Sequence, residues 1–366
     1  MNFFHSNFSN LNIITYSVQK GSEQFNSSII ESVIDDIRKR TCISFMKSQN
    51  VVKSRLGFNF KYGKNNNCNT TNGPTSRDND SSQYIYIGSK CQNNPEDILS
   101  LILRMVGIMP PVNRPDRDSY VYLNYSKVED KYDSLFDKYN RTDVDLYGTG
   151  FDFGSITFPK NDTFGFIKGQ AFTPLIPQLY KMMGQRRNLS FNDLRIANQI
   201  YCRDRCNDTK LVCLNGGFEN PKNCGSCVCP FGLNSTTNCS TLYESSQNCT
   251  IKEVIQLNNS KTFENFLYTG VQSCYNKIKF NISTLVYITI NSVETENNDT
   301  ICYEGQGLEI KHRPDKGESG YRFCGNYSNI VLNTTAGYTY IFYNGTIPGH
   351  KANVTVSLRS STQSHG

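Results

Sequence analysis

Residues 94–107 read Asn-Pro-Glu-Asp-Ile-Leu-Ser-Leu-Ile-Leu-Arg-Met-Val-Gly, and residues 108–121 continue as Ile-Met-Pro-Pro-Val-Asn-Arg-Pro-Asp-Arg-Asp-Ser-Tyr-Val. An asparagine followed by a proline is a strong helix-start signal, so we expect a helix that Asn94 caps and Gly107 ends. The apolar residues recur at helical spacing, which predicts that this helix is buried in a core. They are Leu99, Ile102, Leu103 and Val106.

Two further helices are predicted from their caps. Ser28 and Glu31 form a capping-box pattern in front of an apolar stripe, which predicts a helix that ends in the basic run at residues 38–40. Ser190 and Asp193 form the same pattern at the start of a third helix. Alternating residues predict two short strands, at residues 13–18 and 83–88. We therefore expect a mixed α+β domain in this part of the chain.

Composition excludes two classes of protein. The chain has 366 residues, of which 37% are hydrophobic and 19% are charged, so it holds enough apolar side chains for ordinary cores. Its longest apolar stretch, Ile98 to Met109, is interrupted by Ser100 and Arg104 and is well short of the ~20 residues that span a bilayer. The net charge is +6, and the Lys and Arg residues are scattered. A transmembrane segment is therefore excluded, and nucleic-acid binding has no support.

The cysteines indicate an oxidising compartment. There are 14 of them, and most lie between Cys202 and Cys274. We favour a disulfide framework. Zinc is the alternative, because Cys224, Cys227 and Cys229 are spaced as C-x2-C-x-C. No second C-x2-C pattern or nearby histidine would complete a tetrahedral zinc site, and this favours the disulfides.

Roughly twenty Asn-x-Ser/Thr sequons point to the same compartment. The expected glycosylation sites are Asn26, Asn69, Asn124, Asn140, Asn188, Asn234, Asn281, Asn326, Asn333, Asn344 and Asn353. The first residues, Met-Asn-Phe-Phe-His-Ser-Asn-Phe, lack both the basic start and the apolar run of a signal peptide. We expect a secreted, extracellular protein. Either the signal peptide is missing from this version of the chain, or the route of export is not readable in it.

The character of the sequence changes twice after residue 202. From Cys202 to about residue 250 it consists of short loops, glycines and cysteines with almost no apolar periodicity, so this segment cannot hold itself together with a core. From Cys249 onward, alternating apolar runs predict a β-sandwich of about 110 residues. The clearest runs lie at residues 286–290, 308–310, 330–332 and 354–358.

Four sequence blocks, in this order and spacing, resemble the astacin family of metalloproteases. They are Thr-Cys-Ile-Ser-Phe at 41–45, Arg-Pro-Asp-Arg-Asp-Ser-Tyr-Val at 114–121, Gly-Ser-Ile at 154–156 and Gly-Gln-Arg-Arg-Asn-Leu-Ser-Phe-Asn-Asp at 184–193. The cysteine-rich segment resembles an EGF-like module, and the last part, with Gly-Tyr-Arg-Phe-Cys at 320–324, resembles a CUB domain. This arrangement is typical of nematode astacins. It implies a two-lobed α+β zincin-type, astacin-like domain at 1–202, a small disulfide-rich EGF-like domain at 203–240 and an all-β CUB sandwich at 249–358.

The catalytic chemistry of the family does not carry over. Active astacins carry H-E-x-x-H-x-x-G-x-x-H, in which the histidines hold zinc and the glutamate is the general base. Alignment on Gly107 and Arg114 places at those four positions Ser100, Leu101, Arg104 and Pro110. Arg104 would repel a metal cation, and Leu101 cannot accept a proton. The resemblance therefore implies a fold without the zinc that the family uses as its cofactor.

A second segment agrees with this loss. Where the family has Ser-Ile-Met-His-Tyr, this chain has Ser-Ile-Thr-Phe-Pro. Thr157 thus replaces the methionine beneath the metal, and Pro159 replaces the tyrosine that assists the transition state. The chain has 4 histidines, and none lies between residues 6 and 311, so it offers neither a substitute zinc site nor the base of a serine or cysteine protease triad.

Other charged residues have structural interpretations. Glu96 and Asp97 lie at a predicted helix start, where acids favour the helix dipole. The arginines and aspartates at 114–118 are interpreted as a local ion-pair and turn network. Many CUB domains hold calcium through an aspartate that follows their third cysteine. Here the family aspartate is absent and Glu304 is out of position, so we expect no calcium, and we expect Glu309 to face outward from a strand.

The family pattern also implies one pairing for the 14 cysteines. The expected disulfides are Cys42–Cys202, Cys68–Cys91, Cys206–Cys224, Cys213–Cys227, Cys229–Cys239, Cys249–Cys274 and Cys302–Cys324.

We interpret the chain as a secreted pseudoprotease with no catalytic residues and no cofactor. Its remaining capacity is to bind peptides or proteins in the vestigial cleft, and an extracellular protein or glycan on the CUB domain. An active secreted zinc metalloendopeptidase with displaced ligands is the alternative. A decaying, unexpressed gene is a third possibility, against which the intact cysteine set weighs.

Overall fold

The structure is a computed structural model that describes residues 13–19, 26–54, 56–63, 68–73, 81–160, 171–258, 260–296 and 301–358. Backbone contacts divide the chain into two compact units. The first comprises Met1–Lys210 with Asn220–Gly225, and the second comprises Leu211–Glu219 with Ser226–Gly366. Among the described residues, no helix is both long enough and apolar enough to cross a bilayer.

The first unit mixes helices with a parallel sheet. The helices are α1 (Ser27–Arg40), α2 (Pro95–Met105) and α3 (Phe191–Tyr201). The strands are β1 (Ile13–Val18), β2 (Ser44–Ser48), β3 (Phe58–Tyr62), β4 (Tyr84–Ile87), β5 (Val121–Leu123) and β6 (Phe172–Pro174). Strands β1 to β4 form one parallel sheet in the order β2-β1-β3-β4, whereas β5 and β6 form a separate antiparallel pair.

The core of the first unit lies between this sheet and the helices. The apolar stripe of α1 is buried at Ile30, Val33, Ile34 and Ile37. It shares one hydrophobic cluster with the sheet and with most of α2. The helix α2 is buried along most of its length, including the polar Asp97 and Ser100 as well as its apolar residues. The prediction of a buried second helix is therefore confirmed.

The cap of α1 differs from the sequence prediction. Asn26 is the N-cap, and its Oδ1 accepts the backbone N–H of Ser28 at 2.9 Å. Ser28 lies inside the first turn, so the predicted capping box of Ser28 and Glu31 is wrong. The earlier asparagine satisfies the free N–H groups first, because asparagine caps helices as well as serine does. Glu31 instead pairs with Lys47 at 2.5 Å.

The second unit is a two-sheet sandwich preceded by a short disulfide-rich segment. Its strands are β7 (Phe218–Glu219), β8 (Cys227–Val228), β9 (Val254–Gln256), β10 (Phe263–Thr269), β11 (Gln272–Lys279), β12 (Val286–Glu294), β13 (Gly307–Lys311), β14 (Tyr321–Phe323), β15 (Asn326–Thr334), β16 (Tyr338–Gly345) and β17 (Lys351–Leu358). One sheet has the order β10-β17-β12-β15 and the other the order β14-β13-β16-β11-β9. The four predicted apolar runs lie in β12, β13, β15 and β17.

The disulfide-rich segment packs on the five-stranded sheet of the second unit. Leu233 and Leu242 share a buried cluster with Tyr340 and Phe342 of β16. Gly232 has a φ of 87° and lies so close to β16 that a Cβ atom would be 2.3 Å from the Phe342 ring. A glycine is therefore required at this contact. The segment obtains from the sandwich the core that its own sequence lacks.

The structure contains seven disulfides, and every cysteine takes part in one. They join the same pairs that the family resemblance implies: Cys42–Cys202, Cys68–Cys91, Cys206–Cys224, Cys213–Cys227, Cys229–Cys239, Cys249–Cys274 and Cys302–Cys324. The first of these connects the residue after α3 to a residue just beyond α1, across 160 positions of sequence. This disulfide therefore links the first helix of the α+β unit covalently to its last helix.

Candidate functional site

The helix α2 positions the candidate site. Asn94 caps it, with its Oδ1 accepting the backbone N–H of Asp97 at 3.0 Å, and Pro95 occupies its first position. Beyond its end, Gly107 adopts a φ of 93°, which suits glycine and turns the chain away from the helix axis. The Tyr201 hydroxyl of α3 donates to the carbonyl of Val106 at 2.6 Å. Contacts at both of its ends therefore fix the position of α2.

Most of the residues that the resemblance singles out line one cavity of about 50 Å³ in the first unit. These are Ser100, Arg104, Pro110, Thr157 and Pro159. Leu101 is not among the lining residues and is 5% exposed within the core. The structure thus brings together the three positions of the family's zinc ligands.

The side chains in this cavity do not fit zinc. Zinc in catalytic sites needs about three imidazole, thiolate or carboxylate ligands, whereas these positions offer one hydroxyl, one guanidinium and one proline ring. Among the described residues up to Cys202, no three histidine, cysteine or carboxylate ligand atoms lie within 4.8 Å of one another. His312 and His350 belong to the second unit, and His5 and His365 lie outside the described residues.

Arg104 is held by neutral oxygen atoms. Its Nε donates to Oδ1 of Asn72 at 2.9 Å, and its Nη2 donates to the carbonyl of Thr70 at 3.2 Å. Burial and the nearby Arg186 lower the pKa of Arg104 to about 10. The guanidinium therefore stays protonated at neutral pH in spite of its surroundings.

Asp97 does more than favour the helix dipole. Its Oδ1 accepts the Nε of Arg186 at 2.9 Å, and its Oδ2 accepts the Nζ of Lys160 at 2.8 Å. Arg186 also donates to the carbonyl of Phe158 at 3.0 Å. Asp97 thus joins the start of α2 to two loops. The dipole interpretation missed this role because the partners lie 63 and 89 residues away in sequence.

The residues at 114–118 form the expected ion-pair network. Arg114 binds Asp116 through two N–H groups, at 2.9 and 2.8 Å, and also donates to the carbonyl of Thr149 at 3.0 Å. Arg117 pairs with Asp118 at 2.9 Å. Both arginines are buried, and their contacts to backbone carbonyls hold the loop that follows α2.

A second cavity, of about 30 Å³, lies beside the first part of α3 and was not predicted. Asp152, Asn192 and Asp193 line it. Asp193 accepts the hydroxyl of Ser155 at 2.6 Å and the N–H of Ile156 at 3.0 Å. Burial and the charge of Asp152 raise the pKa of Asp193 to about 6. The capping-box pattern predicted only the local role of Asp193, because Asp152 is distant in sequence.

Glu304 and Glu309, the two acids considered for the CUB region, both pair with an arginine of the second unit. Glu309 is 2% exposed, so the prediction that it faces outward is wrong. Its Oε2 accepts the Nε of Arg322 at 3.0 Å, and its Oε1 accepts the N–H of Gly320 at 2.9 Å. Glu304 accepts Nη2 of the same arginine at 3.0 Å. Strand alternation failed here because β13 is buried along both faces.

The family assignment rests on sequence comparison. Residues 5–202 match the model of the Astacin peptidase family, which covers more than half of the chain. The chain belongs to the astacin family. The first unit accordingly has the two-lobed α+β astacin fold, and the EGF-like module and the all-β CUB sandwich follow it.

Curated relatives extend the likeness beyond the astacin domain. The zinc metalloproteinase nas-34 of Caenorhabditis elegans is 26% identical over 314 residues, which are 86% of this chain and 50% of that protein. The zinc metalloproteinase nas-23 of the same organism is 29% identical over 338 residues, with coverages of 88% and 59%. The chain therefore spans about half the length of the relatives it matches.

Among solved structures, the chain is similar to high choriolytic enzyme 1, a hatching enzyme zinc-protease from the medaka fish Oryzias latipes. The sequence identity is 21% and the TM-score is 0.42, over 53% of this chain and 92% of that one.

Proposed function

We propose that this chain is a secreted member of the astacin family that lacks the catalytic zinc and binds extracellular proteins or glycans without cleaving them. The observation that carries the proposal is the cavity lining, in which Ser100, Arg104 and Pro110 stand at the three zinc-ligand positions. A guanidinium repels a divalent cation, a proline ring has no donor atom, and a lone hydroxyl is a weak zinc ligand.

The general base of the family is missing as well. Leu101 occupies its position, and a leucine cannot take a proton from water. Pro159 likewise has no hydroxyl to offer at the position of the family tyrosine. Restoring a metal alone would therefore leave the reaction without its base.

Binding of polypeptide is supported by apolar side chains on and next to β5 and β6. Four of these side chains are 43% to 61% exposed: Tyr122, Tyr125, Leu175 and Tyr180. Tyr122 and Leu175 lie on or directly beside the paired strands β5 and β6, and contiguous exposed apolar patches are typical of interaction surfaces.

The proposal is tested by the metal content and the proteolytic activity of the purified full chain. After loading with excess zinc and dialysis, we expect far less than one zinc per chain and no cleavage of casein. A zinc content near one per chain, or cleavage that 1,10-phenanthroline stops, contradicts the proposal. Either result would support the alternative of an active zinc metalloendopeptidase with displaced ligands.

Variants of the chain provide the controls. Arg104→His supplies one of three ligands, so it should neither retain zinc nor cleave casein. The combined variant Ser100→His, Leu101→Glu, Arg104→His and Pro110→His restores the family motif and should retain zinc. Arg141→His places an imidazole on an exposed arginine position and should behave as the unchanged protein.

A further inference from the structure

The cavity at the former zinc position has an unusual charge. Two arginines line it, Arg104 and Arg186, and no aspartate or glutamate is among its described lining residues. Arg104 forms no ion pair with a carboxylate within the described part of the chain. Within the described residues, the dipoles of Asn72 and Thr70 contact this largely buried positive charge, and no carboxylate neutralises it.

The carboxylate that binds the second arginine does not compensate Arg104. Asp97 already forms ion pairs with both Arg186 and Lys160, so its single negative charge is shared between two positive charges. Arg104 adds a further positive charge to the lining of this cavity. A buried cation without a counter-charge is unfavourable, and an anion that enters the cavity would relieve this cost.

Donor groups for such an anion remain available. A guanidinium carries five N–H donors, and the described partners of Arg104 use two of them. The Ser100 hydroxyl lines the same cavity and makes no hydrogen bond to any described residue. Guanidinium N–H groups match a carboxylate in geometry, and a hydroxyl adds a further donor.

The size of the cavity agrees with a small planar group. A water molecule needs about 10–15 Å³ of such volume, so about 50 Å³ holds three or four heavy atoms. A carboxylate group has three. Larger ligands would have to leave their remaining atoms outside the cavity.

We propose that this cavity binds a carboxylate, presented by a bound polypeptide, with Arg104 as the main ligand and Ser100 as an additional donor. The inference rests on the proposed function, because it assumes that polypeptide enters the vestigial cleft. A fixed arginine then takes the place of the metal cation as the positive centre of the cleft. The same chemistry would accept a free carboxylate such as acetate, and the two arms of the test separate these sources.

The first arm measures the thermal unfolding temperature of the full chain in sodium acetate and in sodium chloride of equal ionic strength. With acetate at ten times its dissociation constant, we expect acetate to raise the unfolding temperature by about 3–6 °C. Arg104→Met should abolish this rise, whereas Arg141→Met, which removes an exposed arginine elsewhere, should retain it. If Arg104→Met does not fold, Arg104→Lys replaces it, and its rise should be reduced because lysine lacks the planar fork. An equal rise in the Arg104 variant and the unchanged protein, or no rise in either, overturns the proposal.

The second arm uses a mixture of synthetic pentapeptides, made once with free C-terminal carboxylates and once with C-terminal amides. We expect the immobilised chain to retain the free acids at least tenfold better than the amides, and Arg104→Met to lose the preference. Equal retention of acids and amides overturns the carboxylate inference but leaves polypeptide binding standing. An acetate effect with no retained peptide overturns the polypeptide source of the carboxylate, whereas the proposed function is decided separately by the zinc content and the casein assay.

Discussion

Arg104 shows how one residue changes the chemistry of an inherited site. The family motif identified its position from sequence, because the glycine and the Arg-Pro-Asp-Arg-Asp block fix the alignment. The contacts of its guanidinium with Asn72 and Thr70 could not be predicted, since they join residues more than 30 positions apart. A motif identifies which position a residue holds, whereas its electrostatic surroundings depend on tertiary structure.

Two other residues show the same limit. Glu309 was predicted to face outward because strands alternate, yet it is buried against Arg322. Asp193 was predicted correctly as a capping residue, whereas its contacts with Ser155 and Ile156 were not. In each case the deciding partner lies in a different segment of the chain.

At the residue scale, Asp193 should make stability depend on pH. Its pKa is raised to about 6 from 3.8, so the folded state binds its proton more tightly than the unfolded state does. The stabilisation from this group is present below about pH 4 and is lost as the pH rises through 6, at a cost of about 3 kcal/mol. Asp152→Asn removes a neighbouring charge that raises this pKa, so the variant should lose less stability between pH 4 and 7.

Urea unfolding at pH 4, 5, 6 and 7 measures this difference. Asp137→Asn removes an exposed aspartate elsewhere and should follow the unchanged protein. Identical pH profiles for Asp152→Asn and the unchanged protein would show that Asp152 does not act on Asp193.

At the scale of elements, the starts of the helices were predicted better than the order of the strands in the sheet. The start of α2 at Asn94 and Pro95 and the capping box of α3 were predicted, because caps are local sequence signals. The N-cap of α1 was placed two residues late, since Asn26 and Ser28 compete for the same N–H groups. The order β2-β1-β3-β4 could not be predicted, because pairing between parallel strands depends on distant contacts.

The disulfide Cys42–Cys202, which joins the ends of α1 and α3, should stabilise the α+β unit more than the disulfide Cys68–Cys91 does. It closes 160 residues, whereas Cys68–Cys91 closes 23. On the loop-entropy relation these closures contribute about 5 and about 3 kcal/mol. The double variant of Cys42 and Cys202 to alanine should therefore lose about 2 kcal/mol more than the double variant of Cys68 and Cys91.

The free energy of unfolding in urea, measured for both double variants, tests this order. A larger loss from the shorter closure would mean that local packing, and not chain entropy, determines the contribution of each disulfide.

At the scale of the whole molecule, 14 paired cysteines and many sequons both favour an extracellular protein. Sequons alone do not tell which asparagines carry glycan, and the structure separates them by environment. Asn326 and Asn333 are exposed on β15. Asn344 is half-buried, and its side-chain nitrogen donates to the carbonyl of Gly305 at 2.6 Å.

When the chain is secreted from a eukaryotic cell behind a supplied signal peptide, we expect glycan on Asn326 and Asn333 and none on Asn344. A glycan on Asn344 would need room that its contacts already fill. Deglycosylation with PNGase F converts each occupied asparagine to aspartate, which tandem mass spectrometry locates. Absence of glycan at all three positions, or a fully occupied Asn344, would contradict this prediction.

The packing of the EGF-like segment on β16 has a practical consequence for anyone who divides this chain. A fragment that begins at Cys249, where the CUB pattern starts, would lack Phe231 and Leu233 and would leave Phe342 uncovered. Uncovered aromatic patches of this kind promote self-association. A soluble C-terminal fragment should therefore begin before Cys206, so that Cys224 also keeps its disulfide partner, even though a sequence-based boundary suggests a shorter fragment.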